Sequence, residues 1–206
     1  MSLKCKNYNK CGIFDLLCPH ICRGCGRLGS VICECCKKNI SKTKIDFKEG
    51  IACAWRDSLL GEMVEEYKYN SVRALGAELA EILDAKIPCL NGEVVVVPLP
   101  TIDRHIRERG LDHTFEIGKR LAKRRGWRCE KVLARKNKTV QVGASAKERM
   151  EQAKEAYVLD AEIENGVTYL LLDDVWTTGA SMKAAEKLLL DAEASKVVKA
   201  VLVVSR

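Results

Sequence analysis

The sequence predicts an α/β fold: an open, mostly parallel sheet flanked by helices, with a small cysteine-rich head at the N-terminus. Three observations carry this. Residues 94–99 and 167–172 are continuous apolar runs of strand length, the pattern of strands buried on both faces. Segments with a 3.6-residue apolar period alternate with them, as in sheets built from strand-helix-strand units. Eight of the 11 cysteines lie within the first 36 residues.

The elements follow in order. Residues 1–40 form the head and 41–50 a polar, Lys-rich connector, so the chain divides into a head and connector over 1–50 and an α/β domain over 51–206. Residues 56–86 read as helical in two pieces, broken near Tyr69-Asn70-Ser71. In the second piece Leu75, Leu79, Ile82 and Leu83 make an apolar stripe. Residues 93–97 form a buried strand stopped by Pro98. A helix over 111–125 and a short strand over 131–134 come next. The polar segment 135–147 has few apolar anchors and reads as a mobile loop. Residues 168–172 form a second buried strand, and 179–190 a helix with Met182, Ala185, Leu188 and Leu189 facing inward. A third strand over 196–204 closes the chain. No apolar run approaches the roughly 18 residues that a membrane span needs. Met1-Ser2-Leu3-Lys4-Cys5 lacks the apolar core of a secretory signal, which predicts a cytoplasmic location without membrane insertion.

The net charge of +7 is concentrated. Residues 103–138 hold 13 Lys and Arg against 5 Asp and Glu. Such a patch suits phosphate, on a small molecule or on nucleic acid. Part of it is a solvated helix face, because Lys119, Arg120, Lys123 and Arg124 lie opposite Leu111, Phe115, Gly118 and Leu121. Arg104, Arg107 and Arg109 precede that helix and need another account.

Cys22-Arg23-Gly24-Cys25 and Cys33-Glu34-Cys35-Cys36 are two Cys-x2-Cys turns, each placing two thiolates on one tight bend. Together Cys22, Cys25, Cys33 and Cys36 supply the tetrahedral sulfur set that zinc prefers. Four protein ligands fill the shell, so the expected ion is structural and the head is zinc-ribbon-like. Cys18 and Cys35 are alternative ligands, Cys5 and Cys11 are candidates for a second ion, and His20 is expected at the surface.

The strand over 168–172 ends in Asp173-Asp174 and passes through Thr177-Thr178-Gly179 into a helix. Backbone N–H groups at such a turn and helix start attract an anionic phosphate. Thr177, Thr178 and Ser181 add hydroxyls, and Gly179 allows close approach. The adjacent carboxylates can accept hydrogen bonds from a vicinal diol, or bind Mg2+ through water. No Gly-Lys-Ser/Thr follows, as in a Walker loop, and no Gly-x-Gly-x-x-Gly is present. Helix capping by Asp174 and Thr178 explains less of the loop.

The segment from Leu170 to Ser181 resembles the phosphoribosyl pyrophosphate loop of type I phosphoribosyltransferases. Other motifs match the ComF branch in order: the cysteine head, Glu66-Tyr67-Lys68-Tyr69, Val97-Pro98-Leu99-Pro100, Arg107-x-Arg109-Gly110 and Arg135-x3-Thr139-x-Gln141, then Arg149 and Tyr157. The resemblance implies a sheet of the type I phosphoribosyltransferase kind. It puts Asp173 and Asp174 at the ribose as catalytic residues, and Thr177, Thr178, Gly179, Ala180 and Ser181 at the 5′-phosphate. Pro100, Thr101 and Arg104 fall at the pyrophosphate with Arg107 and Arg109 nearby. Arg135 and Gln141 fall on a flap that closes over the substrate. Mg2+ is the implied companion of the pyrophosphate. Where the family has Phe-Asn-Gln this chain has Leu111-Asp112-His113; Gln152 replaces a common Asn, and Ser181 a common Thr. An Asp at 112 would repel pyrophosphate unless Mg2+ intervened, His113 is a base or a structural residue, and Trp176 stacks on a base or packs.

Two functions compete. One is transfer of phosphoribose to a nitrogen nucleophile, with binding but no turnover as a variant of it. The other, implied by the ComF resemblance, is non-catalytic single-stranded-DNA binding with DNA-uptake proteins as partners. In that account the basic stretch tracks the backbone, and neutralising Arg124 and Arg125 releases the DNA. Dimers are common among such relatives, which makes a homodimer one expectation.

Overall fold

The computed structural model describes residues 20–70, 72–136 and 157–206. In the head, a bridge pairs Ile21 with Leu28 and helix α1 covers Glu34–Lys42. Then follow β1 (Ile51–Trp55), α2 (Leu59–Tyr69), α3 (Leu75–Asp84), β2 (Val94–Pro98), α4 (Asp103–Arg109), α5 (His113–Arg125) and β3 (Arg128–Cys129). After these come β4 (Leu133–Arg135), β5 (Tyr157–Leu159), β6 (Thr168–Trp176), α6 (Ala180–Asp191) and β7 (Lys196–Val204).

Five strands form one sheet in the order β1-β7-β6-β2-β3, every pair parallel, while β4 and β5 make a separate antiparallel pair. All five residues of β2 are buried, as a central parallel strand requires. Strand alternation splits the core in two. Val94, Val96, Leu170 and Leu172 face α2, α3 and α5, while Val95, Val97, Tyr169 and Leu171 face α6. The head joins the first core through Val31, Ile32 and Ile40, which pack with Leu60, Met63 and Leu79.

The chain leaves β2 outward to β3, then returns across the sheet to β6 and proceeds to β7 on the other side. The order therefore reverses between β2 and β6, whose register runs from Val94 opposite Thr168 to Pro98 opposite Leu172. In open α/β sheets, ligands bind beyond the carboxyl ends of strands at such a reversal.

Several expected elements shift. The strand expected over 168–172 extends through Trp176, so Asp173 and Asp174 belong to the strand and do not follow it. The short strand near 131–134 pairs with β5 away from the main sheet, whose edge strand is Arg128–Cys129. Arg104, Arg107 and Arg109 lie on a helix, α4, which contains no buried residue. Most of the segment 135–147, with Thr139 and Gln141, lies outside the described residues, as do Arg149 and Gln152.

Candidate functional site

The loop after β6 is shaped by Trp176 and Gly179. Trp176 is buried and meets Phe47 edge-on, with ring centroids 5.0 Å apart. That settles its role as packing. Gly179 follows with φ 74°, and a Cβ there would sit 2.1 Å from Cζ2 of Trp176. Only glycine fits both the left-handed backbone and the ring beneath it. Thr177 and Thr178 are thereby left exposed at the carboxyl edge of the sheet, and α6 begins at Ala180. The Ala180 amide donates to Thr178 Oγ1 at 3.4 Å, a long contact, and the N-cap residue Gly179 supplies no side-chain cap.

Asp173 and Asp174 border a cavity of about 260 Å³ between this edge, α2, α4 and α5. Asp173 Oδ1 accepts the Asp174 amide at 2.8 Å. Asp174 Oδ1 takes an ion pair from Lys68 at 2.8 Å, with both side chains about seven-eighths buried. Burial first, and the neighbouring Asp174 carboxylate second, push the Asp173 carboxyl up to about 8.

The loop after β2 brings Pro100 and Thr101 to the same cavity, with Arg109, Arg135 and Ser181 also on its wall. Arg135 is fixed there: its Nε donates to the Pro100 carbonyl at 3.0 Å, and its guanidinium lies 5.3 Å from the Tyr157 ring centre. Arg109 lies over Tyr69, 4.7 Å from the ring centre. Arg104 and Arg107 instead border an adjoining hollow of about 510 Å³. Pro100, Thr101 and Arg135 line both, so the two spaces share a wall. Thus Asp173, Asp174, Pro100, Thr101, Arg109, Arg135 and Ser181 are brought together. Thr177, Thr178, Gly179 and Ala180 form the adjoining turn, and Arg104 and Arg107 stand apart.

The departures at 112 and 113 find physical reasons. Asp112 caps α5, accepting from the Phe115 amide at 3.3 Å and from Thr101 Oγ1 at 3.2 Å, with Lys131 3.5 Å away. Lys131 and the two donors thus partner its carboxylate. His113 is buried edge-on against Tyr67 at 4.7 Å, its Nδ1 without a hydrogen-bond partner. Burial and then Arg109 hold its pKa below the usual value. Lys68 is the site residue that sequence reasoning left without a role. Its only signal was its place in Glu66-Tyr67-Lys68-Tyr69.

In the head, Sγ atoms of Cys22, Cys25, Cys33 and Cys36 all lie within 4.8 Å of one another, and Cys25 and Cys33 sulfurs are 3.7 Å apart. Four sulfurs about 2.3 Å from one tetrahedral ion would be about 3.8 Å apart, so this cluster can hold a metal ion such as zinc. Burial opposes ionisation of Cys22. Amides of Cys33, Cys25 and Gly24 overcome it and lower the thiol to about 7, whereas burial and the neighbouring sulfurs push Cys36 up. His20 is exposed, as expected.

The basic stretch is less free than its composition implies. Arg125 binds the Asp84 carboxylate and donates to the carbonyls of Asp84 and Ile87, both at 2.7 Å. Trp127 packs against the core beneath it. Lys119, Arg120 and Lys123 stay exposed. No described helix is long and apolar enough to cross a membrane.

Fold and edge together define an open parallel α/β protein with an acid pair and a Thr-Thr-Gly turn at the strand reversal, as the type I phosphoribosyltransferase resemblance predicted. The chain is similar to the competence protein ComFC of Bacillus subtilis (strain 168), with 23% identity over 182 residues, covering 84% of this chain and 72% of that protein. No family model matches. Among solved structures, adenine phosphoribosyltransferase from Saccharomyces cerevisiae aligns over 72% of this chain and 69% of its own, with 17% identity and a TM-score of 0.37. An allosteric regulatory enzyme of purine biosynthesis aligns over 70% of this chain, with 15% identity and a TM-score of 0.41. This chain spans about a quarter of that enzyme (26%). With superposition this loose, the reading of the site rests on its own geometry.

Proposed function

We propose that the chain binds phosphoribosyl pyrophosphate with Mg2+ at the carboxyl ends of β2 and β6, and that it serves DNA uptake in natural competence, or nucleotide metabolism, as a protein of the ComFC kind. One observation supports the reading: Asp173, Asp174 and Ser181 line one cavity at the point where strand order reverses, with the turn Thr177-Thr178-Gly179-Ala180 adjoining it, an arrangement suited to a diol and a phosphate. The Thr177–Ser181 turn holds the 5′-phosphate with amides and hydroxyls. Asp173 and Asp174 accept the ribose hydroxyls. Thr101, Arg109 and Arg135 face the pyrophosphate, with Arg104 and Arg107 at the outer hollow. Mg2+ prefers oxygen ligands, which pyrophosphate itself provides; it supplies charge neutralisation of the leaving group. Transfer would form a bond from a nitrogen nucleophile to the anomeric carbon, break the bond to pyrophosphate and invert that carbon. The Asp174 carboxylate would stabilise charge developing on the sugar. Zn2+ in the cysteine cluster would be structural.

The test is thermal melting. Phosphoribosyl pyrophosphate with Mg2+ raises the wild-type midpoint, and Asp174→Ala or Thr178→Ala abolishes the rise. An unchanged wild-type midpoint overturns the reading. Pyrophosphate release in the presence of candidate nitrogen bases then separates transfer from binding alone. The second reading, single-stranded-DNA binding, draws on the exposed α5 face of Lys119, Arg120 and Lys123 and on the name of the ComFC relative.

A further inference from the structure

The motif Glu66-Tyr67-Lys68-Tyr69 at the end of α2 faces two ways. Lys68 Nζ is 2.8 Å from Asp174 Oδ1, and Glu66 Oε2 is 2.7 Å from Arg23 Nε inside the first Cys-x2-Cys turn. One helical turn thus ties the cysteine knuckle to the acid pair. The Lys68–Asp174 contact is the more buried, the two side chains being 13% and 14% exposed against 37% and 28% for Arg23 and Glu66. The other cations on the cavity wall are committed elsewhere: Arg109 to the Tyr69 ring, Arg135 to Pro100 and Tyr157. On each acid one oxygen is already held, Asp173 Oδ1 by an amide and Asp174 Oδ1 by the ammonium. The two carboxyl groups also hydrogen-bond to each other, so the ammonium on Asp174 sets how the pair as a whole is presented to the cavity.

We propose that Lys68 is a positioning residue of the sugar subsite. It orients Asp174 for a vicinal diol, and the cysteine knuckle sets the place of Lys68 through the Arg23–Glu66 ion pair. The inference rests on the sugar-phosphate reading above and adds the residue that makes the diol, not the phosphate, the ligand's distinguishing group. A second cysteine-rich copy or a nucleic acid is not needed for it. The coupling lies within one chain.

Calorimetric titration of the full chain with ribose 5-phosphate, 2-deoxyribose 5-phosphate and inorganic phosphate tests it. In wild type, ribose 5-phosphate binds more tightly than its 2-deoxy analogue. Lys68→Met weakens ribose 5-phosphate about tenfold, the order expected for one charge-assisted contact, and collapses the preference over the deoxy sugar. Inorganic phosphate, held by the turn, binds as before, and Lys68→Arg restores part of the preference. Glu66→Gln lowers the same preference more modestly, and adds nothing in the Lys68→Met background. Equal weakening of all three ligands by Lys68→Met and by Lys68→Arg marks a merely structural residue and overturns the inference. So does an unchanged preference in Lys68→Met. If Glu66→Gln leaves the preference at its wild-type value, the link to the knuckle is overturned. Wild-type protein that takes up none of the three overturns the sugar-phosphate reading, and this inference with it.

Discussion

Asp173 stands where function and stability pull in opposite directions. Partly buried beside a second carboxylate, it is pushed up to about 8. An unfolded chain would release that proton near pH 4, whereas the folded one keeps it to about 8. Between those values the folded state binds more protons, so this group makes the protein less stable as pH rises through that window. The burden is complete above about 8, and below 4 it vanishes. Asp173→Asn removes it. The variant is therefore expected to melt higher than wild type at pH 8, with each kcal/mol worth about 2–4 °C in a chain of this size, and to match wild type near pH 4. Its ability to bind ribose 5-phosphate falls above about pH 8, where the ionised wild-type carboxylate offers two acceptors and the amide one. A variant that melts lower at pH 8 would show that the carboxyl makes a stabilising contact outweighing its burial.

At the scale of elements, what could be read in advance followed apolar period and length. The two pieces of 56–86 and their break near Asn70, the run at 93–97 stopped by Pro98, and the closing strand at 196–204 have enough buried residues to impose a pattern. The reversal loop was legible for another reason: its hydroxyls, acids and glycine make a dense local signal. Elements without such patterns were missed. Strand β1 is Ile-Ala-Cys-Ala-Trp, short and small, and becomes a strand by pairing with β7. Helix α4 buries nothing and shows no stripe. Lys68 could not be assigned, because its partner lies 106 positions away in sequence and only the packing of α2 brings them together. On α5 the sequence showed charges but not their commitments. Arg125 ties the C-terminus of α5 to that of α3, so Arg125→Ala is expected to cost about 1–3 kcal/mol by leaving the part-buried carbonyls of Asp84 and Ile87 without this donor, whereas Arg120→Ala costs little. Arg125 is thus a poor probe of DNA binding. Replacing Lys119, Arg120 and Lys123 by Gln should leave the melting midpoint nearly unchanged. Salt-dependent retention of a single-stranded oligonucleotide should fall with it if that face carries the DNA, and retention equal to wild type removes the face from the second reading.

Taken as a whole, the molecule joins its cysteine head to the sheet through both apolar and ionic contacts. Val31, Ile32 and Ile40 lie in one core with Leu60, Met63, Leu79 and Ile82. Lys37 of α1, only 8% exposed at its side chain, reaches Glu78 and Glu81 of α3 at 2.6 and 2.8 Å. Burial disfavours its charge, yet these carboxylates and Glu34 hold its pKa above the usual range. A buried cation so paired is costly to strand, since removing its partners leaves the charge without compensation. The head's apolar residues and Lys37 are therefore exposed together if the cysteine cluster opens. Binding of a structural zinc is worth on the order of 10 kcal/mol in small zinc domains, comparable to the whole stability of an ordinary protein. Metal removal by a chelator is accordingly expected to lower the melting midpoint of the entire chain in one cooperative transition, with near-UV signals of Trp55 and Trp176 lost together with the head. Metal analysis of untreated protein should give about one zinc per chain, falling with Cys22→Ser or Cys36→Ser. If the chelated protein instead keeps its wild-type midpoint, or melts in two separated steps with the sheet unaffected, the head is an independent appendage and the shared core does not couple them.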